Sequence, residues 1–156
     1  MYVKCKKLEF AQRLFDALVE RVIISWNTMI AGYAKVGELD LAHTFFDQMP
    51  RRYFFSWSSL IYGYSQRSDY IMVMSLFSSM VVNNVMPDNV TMAISVHAAA
   101  EIGGLNQGKL IHSRVVRMQT KVDAFLGSAL IDMYCKCGSV KRAFMGFMGL
   151  TKKDVS

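Results

Sequence analysis

Cysteine and histidine side chains are the residues of this chain that could bind a metal or act as nucleophile and base, and there are only three of each. Cys135 and Cys137 lie two positions apart, so on a helix their side chains point in different directions and cannot easily bind one ion. His97 and His112 have no acidic or cysteine partner at ligand spacing and are interpreted as packing or surface residues. The sequence therefore predicts neither a metal site nor a cofactor.

No sequence motif places a catalytic group. The chain lacks the H-x-E and P-C-x-x-C elements of zinc deaminases, lacks a glycine-rich phosphate-binding loop, and has no motif that brings serine, histidine and aspartate together. Three cysteines, with Cys5 far from the other two, are too few for a disulfide framework, which fits a reducing compartment. We expect that the chain is not an enzyme and that any reaction is performed by a missing part of the protein or by a partner.

The charge of the chain favours a polyanionic partner without identifying one, because 18 Lys and Arg against 12 Asp and Glu give a net charge of +6. The longest charge-free run, residues 70–87, contains serines and asparagines and ends in a proline, which predicts a buried helix and a turn rather than a membrane span. No signal or transit peptide is visible. Residues 1–22 already match a repeat, so we expect a fragment of a longer protein or an internal Met1.

Internal repetition organises the whole chain. A shift of 31 positions superimposes seven identical pairs: Ser25 and Ser56, Trp26 and Trp57, Ile30 and Ile61, Gly32 and Gly63, Tyr33 and Tyr64, Phe46 and Phe77, Met49 and Met80. A shift of 101 positions superimposes Ile30 and Ile131, Tyr33 and Tyr134, Lys35 and Lys136, Gly37 and Gly138, Ala42 and Ala143, Phe46 and Phe147. The sequence therefore divides into a partial unit and four complete ones: 1–22, 23–53 (first), 54–88 (second), 89–123 (third) and 124–154 (fourth).

Each unit reads as a pair of antiparallel helices. In the first unit, one helix is predicted over about residues 26–35 and ends at Gly37, which can take a left-handed conformation. The other helix is predicted over about residues 39–48 and stops before Pro50. Trp26 is interpreted as a core residue, because aromatic side chains at helical spacing normally pack inward.

The later units depart from this pattern at the turn and at the helix contact. Gly32 and Ala42 are predicted to be small where the two helices of the first unit approach. In the second unit Ser68 replaces the turn glycine and Val73 replaces the alanine, which predicts a less tightly closed hairpin at a cost of about 1 kcal/mol for overpacking. In the third unit the pair at residues 103–104 is predicted to make the turn.

Four segments resemble plant pentatricopeptide-repeat proteins. They are SWNTMIAGYAKVGELDLAHTFFDQMP (25–50), VMPDNVT (85–91), GKLIHSRVV (108–116) and SALIDMYCKCGSVKRA (128–143). The unit lengths of 31, 35, 35 and 31 residues resemble the subclass that mixes standard, long and short motifs. This subclass is associated with RNA editing in mitochondria and chloroplasts. The resemblance extends over essentially the whole chain.

The resemblance implies an all-α, right-handed superhelical solenoid whose inner surface, lined by the first helices, binds single-stranded RNA at about one base per unit. The fifth and last residues of each unit would read the base, and the second residue would pack against it. The implied fifth residues are Asn27, Ser58, Ala93 and Ser128; the last residues are Tyr53, Asp88, Asp123 and Asp154; the second residues are Ile24, Phe55, Val90 and Phe125.

The chemistry of the reading residues predicts base preferences. A carboxylate only accepts hydrogen bonds, so it suits the ring N–H of guanine or uracil and disfavours adenine and cytosine. A short serine beside it leaves room for a purine. Ser58 with Asp88, and Ser128 with Asp154, are therefore expected to favour guanine.

The first and third units are expected to read less well. Asn27 has a longer amide that favours a pyrimidine, but Tyr53 departs from the usual Asp or Asn, which leaves the base choice of the first unit open. Ala93 offers no polar group, so the third unit would only space its neighbours. An alternative interpretation of Ser58, Asp88 and Asp154 is that they are helix caps or turn residues, and both roles are compatible.

The leading functional hypothesis is a sequence-selective single-stranded RNA binder, a specificity module in organellar RNA processing or C-to-U editing, with editing or processing proteins supplied in trans. The expected location is the mitochondrion or chloroplast, with no membrane partner. Two alternatives remain: a helical-repeat scaffold that binds a protein segment, and a fragment with no function of its own.

Overall fold

The computed structural model describes residues 2–18, 22–119 and 121–138. Within these ranges there is no strand, and the elements are α1 (Tyr2–Ala17), α2 (Ile23–Val36), α3 (Leu39–Gln48), α4 (Phe54–Gln66), α5 (Tyr70–Val82), α6 (Asn89–Glu101), α7 (Leu105–Arg117) and α8 (Ala124–Lys136). The all-α fold predicted from the sequence is confirmed. Asp154 and the second helix expected in the fourth unit lie outside the described residues.

The helices form two layers of unequal spacing. Each hairpin joins a first helix to a second one, as α2 to α3, α4 to α5 and α6 to α7. The backbones of the first helices α2, α4, α6 and α8 approach one another in succession. The backbones of the second helices stay farther apart within the described ranges, where Phe15 of α1 meets Phe45 of α3 through side chains, at 5.3 Å between ring centroids. We call the first helices the inner layer and the second helices the outer layer, because the more closely spaced layer lies on the concave side of a stacked array. Among the described helices, contacts run only within a unit or between units adjacent in the chain, so the array is open.

Aromatic side chains carry the core from one unit into the next. Trp26 is buried, as predicted, and its ring meets Phe15 of the partial unit edge-on at 4.8 Å between centroids. Trp57 meets Phe46 of the first unit in the same way at 4.7 Å. The repeated aromatic pair therefore closes a junction between units, and burying large rings at such a junction stabilises the stack.

Glycine in the inner layer makes room for the preceding unit. A Cβ on Gly63 would lie 2.6 Å from Leu39 Cδ2 and 3.1 Å from Ala34 Cβ, both in the first unit. A Cβ on Gly32 would meet Leu8 of the partial unit at 3.1 Å. The prediction that Gly32 is small for contact with its own hairpin partner is therefore wrong, because its nearest neighbour is one unit away.

The turns inside the hairpins share one left-handed conformation. Gly37 has φ 87°, as the sequence predicts, and Gly103, in the pair predicted to make the turn, has φ 67°. Ser68 takes the same conformation with φ 57°. The turn at Ser68 closes with a bond of 3.0 Å from Asp69 N to Tyr64 O, the same length as its counterpart in the first unit. The expected loosening of the second hairpin is wrong at its turn, and the cost appears instead as a non-glycine residue in a strained conformation.

Buried tyrosines link three of the four inner helices, α2, α4 and α8, to the outer helix of the preceding unit. Tyr64 Oη lies 2.9 Å from His43 Nδ1, and Tyr134 Oη lies 2.8 Å from His112 Nδ1. Tyr33 Oη donates in the same way to the side chain of Gln12. Burial raises the pKa of Tyr64, so the phenol stays protonated and able to donate at neutral pH. The interpretation of His112 as a packing residue is confirmed.

The charge-free run at residues 70–87 forms α5 followed by a turn, as predicted. In the described part of the chain, no helix is both long enough and apolar enough to cross a bilayer.

Candidate nucleic-acid interface

An exposed row of apolar side chains lies in the first turn of the inner-layer helices. The second residue of each first helix is apolar and solvent-exposed, at 75% for Ile24, 67% for Phe55, 52% for Val90 and 59% for Phe125. Single exposed apolar residues are common, but the same position repeated in every unit is a pattern that marks an interaction surface. We call these four residues the apolar row.

The fifth residues lie three positions later, near the apolar row on the same helix face. Asn27 is half-buried, and its Oδ1 is buried without a hydrogen-bond partner. Ser58 is half-buried and its hydroxyl donates to Phe55 O at 3.2 Å. Ser128 is exposed, whereas Ala93 is only 1% exposed. The polar fifth residues are therefore accessible to different degrees, and the third unit presents no polar group at this position.

The last residues of the second and third units are N-caps. Asp88 Oδ1 accepts a hydrogen bond of 2.8 Å from Thr91 N at the start of α6, and Asp123 Oδ1 accepts one of 2.8 Å from Leu126 N at the start of α8. The cap interpretation of Asp88 is therefore confirmed. Each bond engages one carboxylate oxygen, so the cap fixes the side chain while the other oxygen keeps its acceptor capacity.

Tyr53, the last residue of the first unit, differs in structure as well as in type. Its half-buried ring carries the guanidinium of Arg51 at 5.4 Å from the centroid. The start of α4 is held by Ser56 instead, whose hydroxyl accepts from Tyr53 N at 3.0 Å and donates to Tyr53 O at 2.6 Å. A bulky ring therefore stands where the next two units place a carboxylate.

A groove of about 560 Å³ brings together predicted residues of the third and fourth units. The second and fifth residues of both units line it: Val90, Ala93, Phe125 and Ser128. The small, buried Ala93 contributes to the space between α6 and α8. Tyr62, Gln66, His97 and Asp132 complete the lining with polar groups. An apolar groove of this size with a few polar groups is large enough for a nucleobase. Asn27 and Ser58 lie outside it.

A second row of residues lies in the last turn of the inner-layer helices, and the sequence interpretation missed it. The thirteenth residue of each first helix is Lys35, Gln66, Glu101 or Lys136, in chain order. We call these residues the last-turn row. The signal was present in the sequence, because the shift of 101 positions already pairs Lys35 with Lys136. Their different charge environments depend on neighbouring units and could not be read from that pairing.

Lys136 is engaged by two carboxylates, whereas Lys35 is not. The Lys136 ammonium forms ion pairs with Glu101 of the preceding unit and, at 3.2 Å, with Asp132 one turn earlier. The hydrogen bond to Lys136 lowers the pKa of Glu101, and the hydrogen bonds to Glu101 and Asp132 raise the pKa of Lys136. Among the residues that the structure covers, Lys35 is exposed and in no ion pair.

The cysteines and His97, first considered for chemistry, are placed as follows in the structure. Cys135 is exposed and Cys137 half-buried, both as free thiols. The exposed His97 packs its ring edge-on to Tyr70 at 5.6 Å between centroids, which agrees with its interpretation as a packing or surface residue. No group of three potential metal ligands occurs in the described ranges.

Comparison with known families matches the model of the PPR repeat to residues 24–54, 55–85 and 128–155, together more than half of the chain. The first two matches begin one residue after the unit boundaries inferred from the internal shift.

Curated relatives in Arabidopsis thaliana carry the same repeats. A mitochondrial pentatricopeptide repeat-containing protein is 52% identical over 158 residues, which cover 100% of this chain and 24% of the relative. A second mitochondrial one is 46% identical, with 99% of this chain and 23% of the relative covered. A chloroplastic one is 28% identical over 99% of this chain and 15% of the relative. The chain spans less than a quarter of the length of these relatives.

Two crystal structures of the maize pentatricopeptide repeat protein PPR10 share the fold. The protein alone superimposes with a TM-score of 0.71 at 19% identity, over 97% of this chain and 23% of the other. The same protein in complex with an 18-nt psaJ RNA element gives a TM-score of 0.53 at 15% identity, over 96% of this chain and 28% of the other.

Proposed function

Because the chain belongs to the pentatricopeptide repeat family, we propose that it binds single-stranded RNA along its inner layer, at about one base per unit. The observation that carries the proposal is the apolar row, since four exposed apolar side chains at one repeated position suit stacking against successive bases. The RNA complex of the maize protein with the same fold supports it.

The second unit is proposed to select guanine through Ser58 and Asp88. The cap bond to Thr91 holds the Asp88 carboxylate in place, and its second oxygen can accept from the ring N–H of guanine. Ser58 is short enough to leave space for a purine. In the fourth unit, Ser128 with Asp154 is proposed to select guanine in the same way.

The other two units are proposed to contribute less selectivity. Asn27 favours a pyrimidine, but Tyr53 brings a ring and a nearby guanidinium where a carboxylate would read the base. Ala93 is buried and apolar, so the third unit, which ends at Asp123, spaces its neighbours and offers the groove wall rather than a reading group.

The cellular role is proposed to be that of a specificity module in organellar RNA processing or C-to-U editing. The mitochondrial and chloroplastic relatives support a location in one of these organelles. The unit lengths support membership of the subclass with mixed standard, long and short motifs. We assign no catalytic residue to this chain, and the chemistry of editing or processing would come from another part of the protein or from proteins supplied in trans.

A second candidate function, a scaffold for a protein segment, is favoured by one observation in the outer layer. A groove of about 460 Å³ between α5 and α7 is lined by apolar side chains that include Phe77, Val81 and Ile111, and it carries Arg114 and Arg117. Such a groove suits an apolar peptide with acidic residues.

The test of RNA binding compares two isoleucines that are equally exposed. Ile24 in the apolar row and Ile71 in α5 are each 75% exposed. We expect Ile24→Ala to weaken binding of a labelled single-stranded RNA, measured by fluorescence anisotropy, while Ile71→Ala leaves it unchanged. Binding should also weaken between low and moderate salt, because phosphate contacts release counterions. Equal effects of the two variants, or peptide binding without RNA binding, would overturn the proposal.

The test of base choice uses Ser58→Asn and Asp88→Asn. The first should shift preference from guanine towards uracil, because the longer amide fills the space of a purine. The second should lower the preference for guanine, because an amide donates as well as accepts, and it keeps the fold because asparagine caps helices as well as aspartate does. Each shift should amount to about 1–3 kcal/mol in competition between RNAs that differ at one base. Equal affinity for all four bases in every variant would leave Asp88 as a cap only.

A further inference from the structure

The last-turn row changes sign along the inner layer. Its residues are positive at Lys35, neutral at Gln66, negative at Glu101 and positive at Lys136. Equivalent positions of stacked repeats line up, so this row follows one edge of the surface that also carries the apolar row. A lysine on that edge is placed to meet the phosphates of a strand whose bases lie against the apolar row.

Lys136 does not offer a net positive charge to such a strand. Its Nζ forms ion pairs with both Glu101 and Asp132, so the three side chains together carry one negative charge at neutral pH. All three residues are solvent-exposed, with side-chain exposures of 42% for Lys136, 32% for Glu101 and 49% for Asp132. An exposed ion pair is weak and could open, but a phosphate that replaced one carboxylate would still lie close to the other.

We propose that Glu101 and Asp132 withhold Lys136 from the RNA backbone, so that the phosphate contact of the last-turn row is made at Lys35 and not between the third and fourth units. The proposal rests on the RNA binding proposed above. It makes Glu101 and Asp132 residues that limit affinity at the third unit, where the buried Ala93 already removes the reading group. The RNA strand is then held through a phosphate at the first unit, and through its bases at the third and fourth units.

The geometry favours this assignment over a merely structural ion pair. Glu101 comes from the preceding unit and Asp132 from the turn below, so the ammonium is approached from two sides. An ammonium has three donors, and two of them are engaged here. In the first unit, the residue four positions before Lys35 is Ala31, which has no charge. Within the described residues, the two lysines therefore differ in their carboxylate neighbours and not in their position on the helix.

The experiment measures RNA affinity of the full chain against salt for a set of charge variants. Lys35→Ala should weaken binding of a labelled single-stranded RNA and lower the salt slope by about 0.7, the value for one phosphate contact on a single strand. Lys136→Ala should leave both unchanged. The double variant E101Q/D132N should tighten binding about threefold or more at low salt and raise the slope by about 0.7.

The decisive control is Lys136→Ala in the E101Q/D132N background. It should remove the gain in slope and most of the gain in affinity, whereas a gain that survives without Lys136 would reflect only the loss of two negative charges and would overturn the proposal. A loss of affinity in Lys136→Ala alone that matches Lys35→Ala would also overturn it. If the unmodified chain binds no RNA, the proposed function fails first, and that result is distinct from RNA binding that ignores Glu101 and Asp132.

Discussion

The junction between the first and second units and the junction between the third and fourth units place small and large residues on opposite sides of the contact. At the tenth position of the inner helix the second unit has Gly63, which faces Leu39 and Ala34 of the preceding unit. The fourth unit has Met133 there, and the preceding unit supplies Gly108 against its side chain. The comparison teaches that the small residue at a junction can be provided by either of the two units that meet there.

The two junctions differ more in their aromatic content. The first has Trp57 against Phe46, whereas at the position of that tryptophan the fourth unit has Gly127. Both keep the hydrogen bond between a buried tyrosine and a histidine of the preceding outer helix. The polar link is thus the shared element, and the apolar filling is the variable one.

Trp57→Ala should give the largest change, because it empties the first junction of a side chain that is 3% exposed. We expect a loss of about 3–5 kcal/mol in the free energy of unfolding, measured by urea denaturation. Ile71→Ala, which removes apolar atoms from an exposed position, should change it by less than about 0.5 kcal/mol. A loss at Trp57 as small as that of the control would mean that the junction does not depend on its ring.

Gly63→Ala and Gly108→Ala test whether the exchanged glycines are equivalent. A Cβ on Gly63 would meet Leu39 at 2.6 Å and the rigid Ala34 Cβ at 3.1 Å, and we expect a loss of about 1–3 kcal/mol. A Cβ on Gly108 would meet Met133 Sδ at 2.5 Å, but a thioether side chain can move aside, so the loss should be less than about 1.5 kcal/mol. Thermal denaturation of both variants gives the comparison. A larger loss at Gly108 would contradict it.

Tyr64→Phe and Tyr134→Phe should each lower the free energy of unfolding by about 1 kcal/mol, because each removes the tyrosine hydroxyl that forms a hydrogen bond with a histidine. Chemical denaturation at neutral pH measures both values. A loss of stability in only one of the two variants would show that the tyrosine–histidine hydrogen bond does not stabilise both junctions equally.

The same tyrosine predicts a dependence on alkaline pH. Burial raises the pKa of Tyr64 above its usual value of about 10, so the folded chain keeps a proton that the unfolded chain releases. The contribution to stability is therefore constant below about pH 10 and is lost as the pH rises above it. The fall in stability above that pH should be smaller in Tyr64→Phe than in the unmodified chain. An identical fall would assign it to other groups.

The smallest expected effect concerns the turns that precede the outer helices. Ser68→Gly should stabilise the chain by about 0.5–1 kcal/mol, because glycine takes a positive φ without steric cost. Gly37→Ser should destabilise it by a similar amount. The difference between the two melting temperatures checks the sign, and stabilisation by both variants would contradict the assignment of strain to φ.

The sequence predicted the parts of the fold that depend on local chemistry. The left-handed conformation of Gly37, the turn at residues 103–104, the end of α3 before Pro50 and the burial of Trp26 follow from residue type and spacing, and all are confirmed. The neighbour of Gly32 was predicted wrongly. The spacing of residues within one helix shows which of its faces carries small residues, but not which unit packs against that face.

The candidate interface was also predicted in part. The apolar row follows from the repeat register, because its members occupy one position in each unit. The ion pairs of Lys136 with Glu101 and Asp132 were not predicted from the sequence, because Glu101 belongs to the preceding unit and its distance from Lys136 depends on how the two units stack. Asp88 was expected to cap a helix, to read a base or to do both, and its role as a cap is confirmed by the hydrogen bond from Thr91 N at the start of α6.

The contacts between neighbouring units alone have a consequence for how the chain folds. No described helix has to find a partner that is more than about one unit away in sequence, so the loop-closure entropy of each step stays small. Arrays with such local contacts fold fast, and their nucleus can form at any unit and spread in both directions. Trp26 with Phe15 and Trp57 with Phe46 bury the same pair of rings at the same separation along the chain, so either junction can start the process.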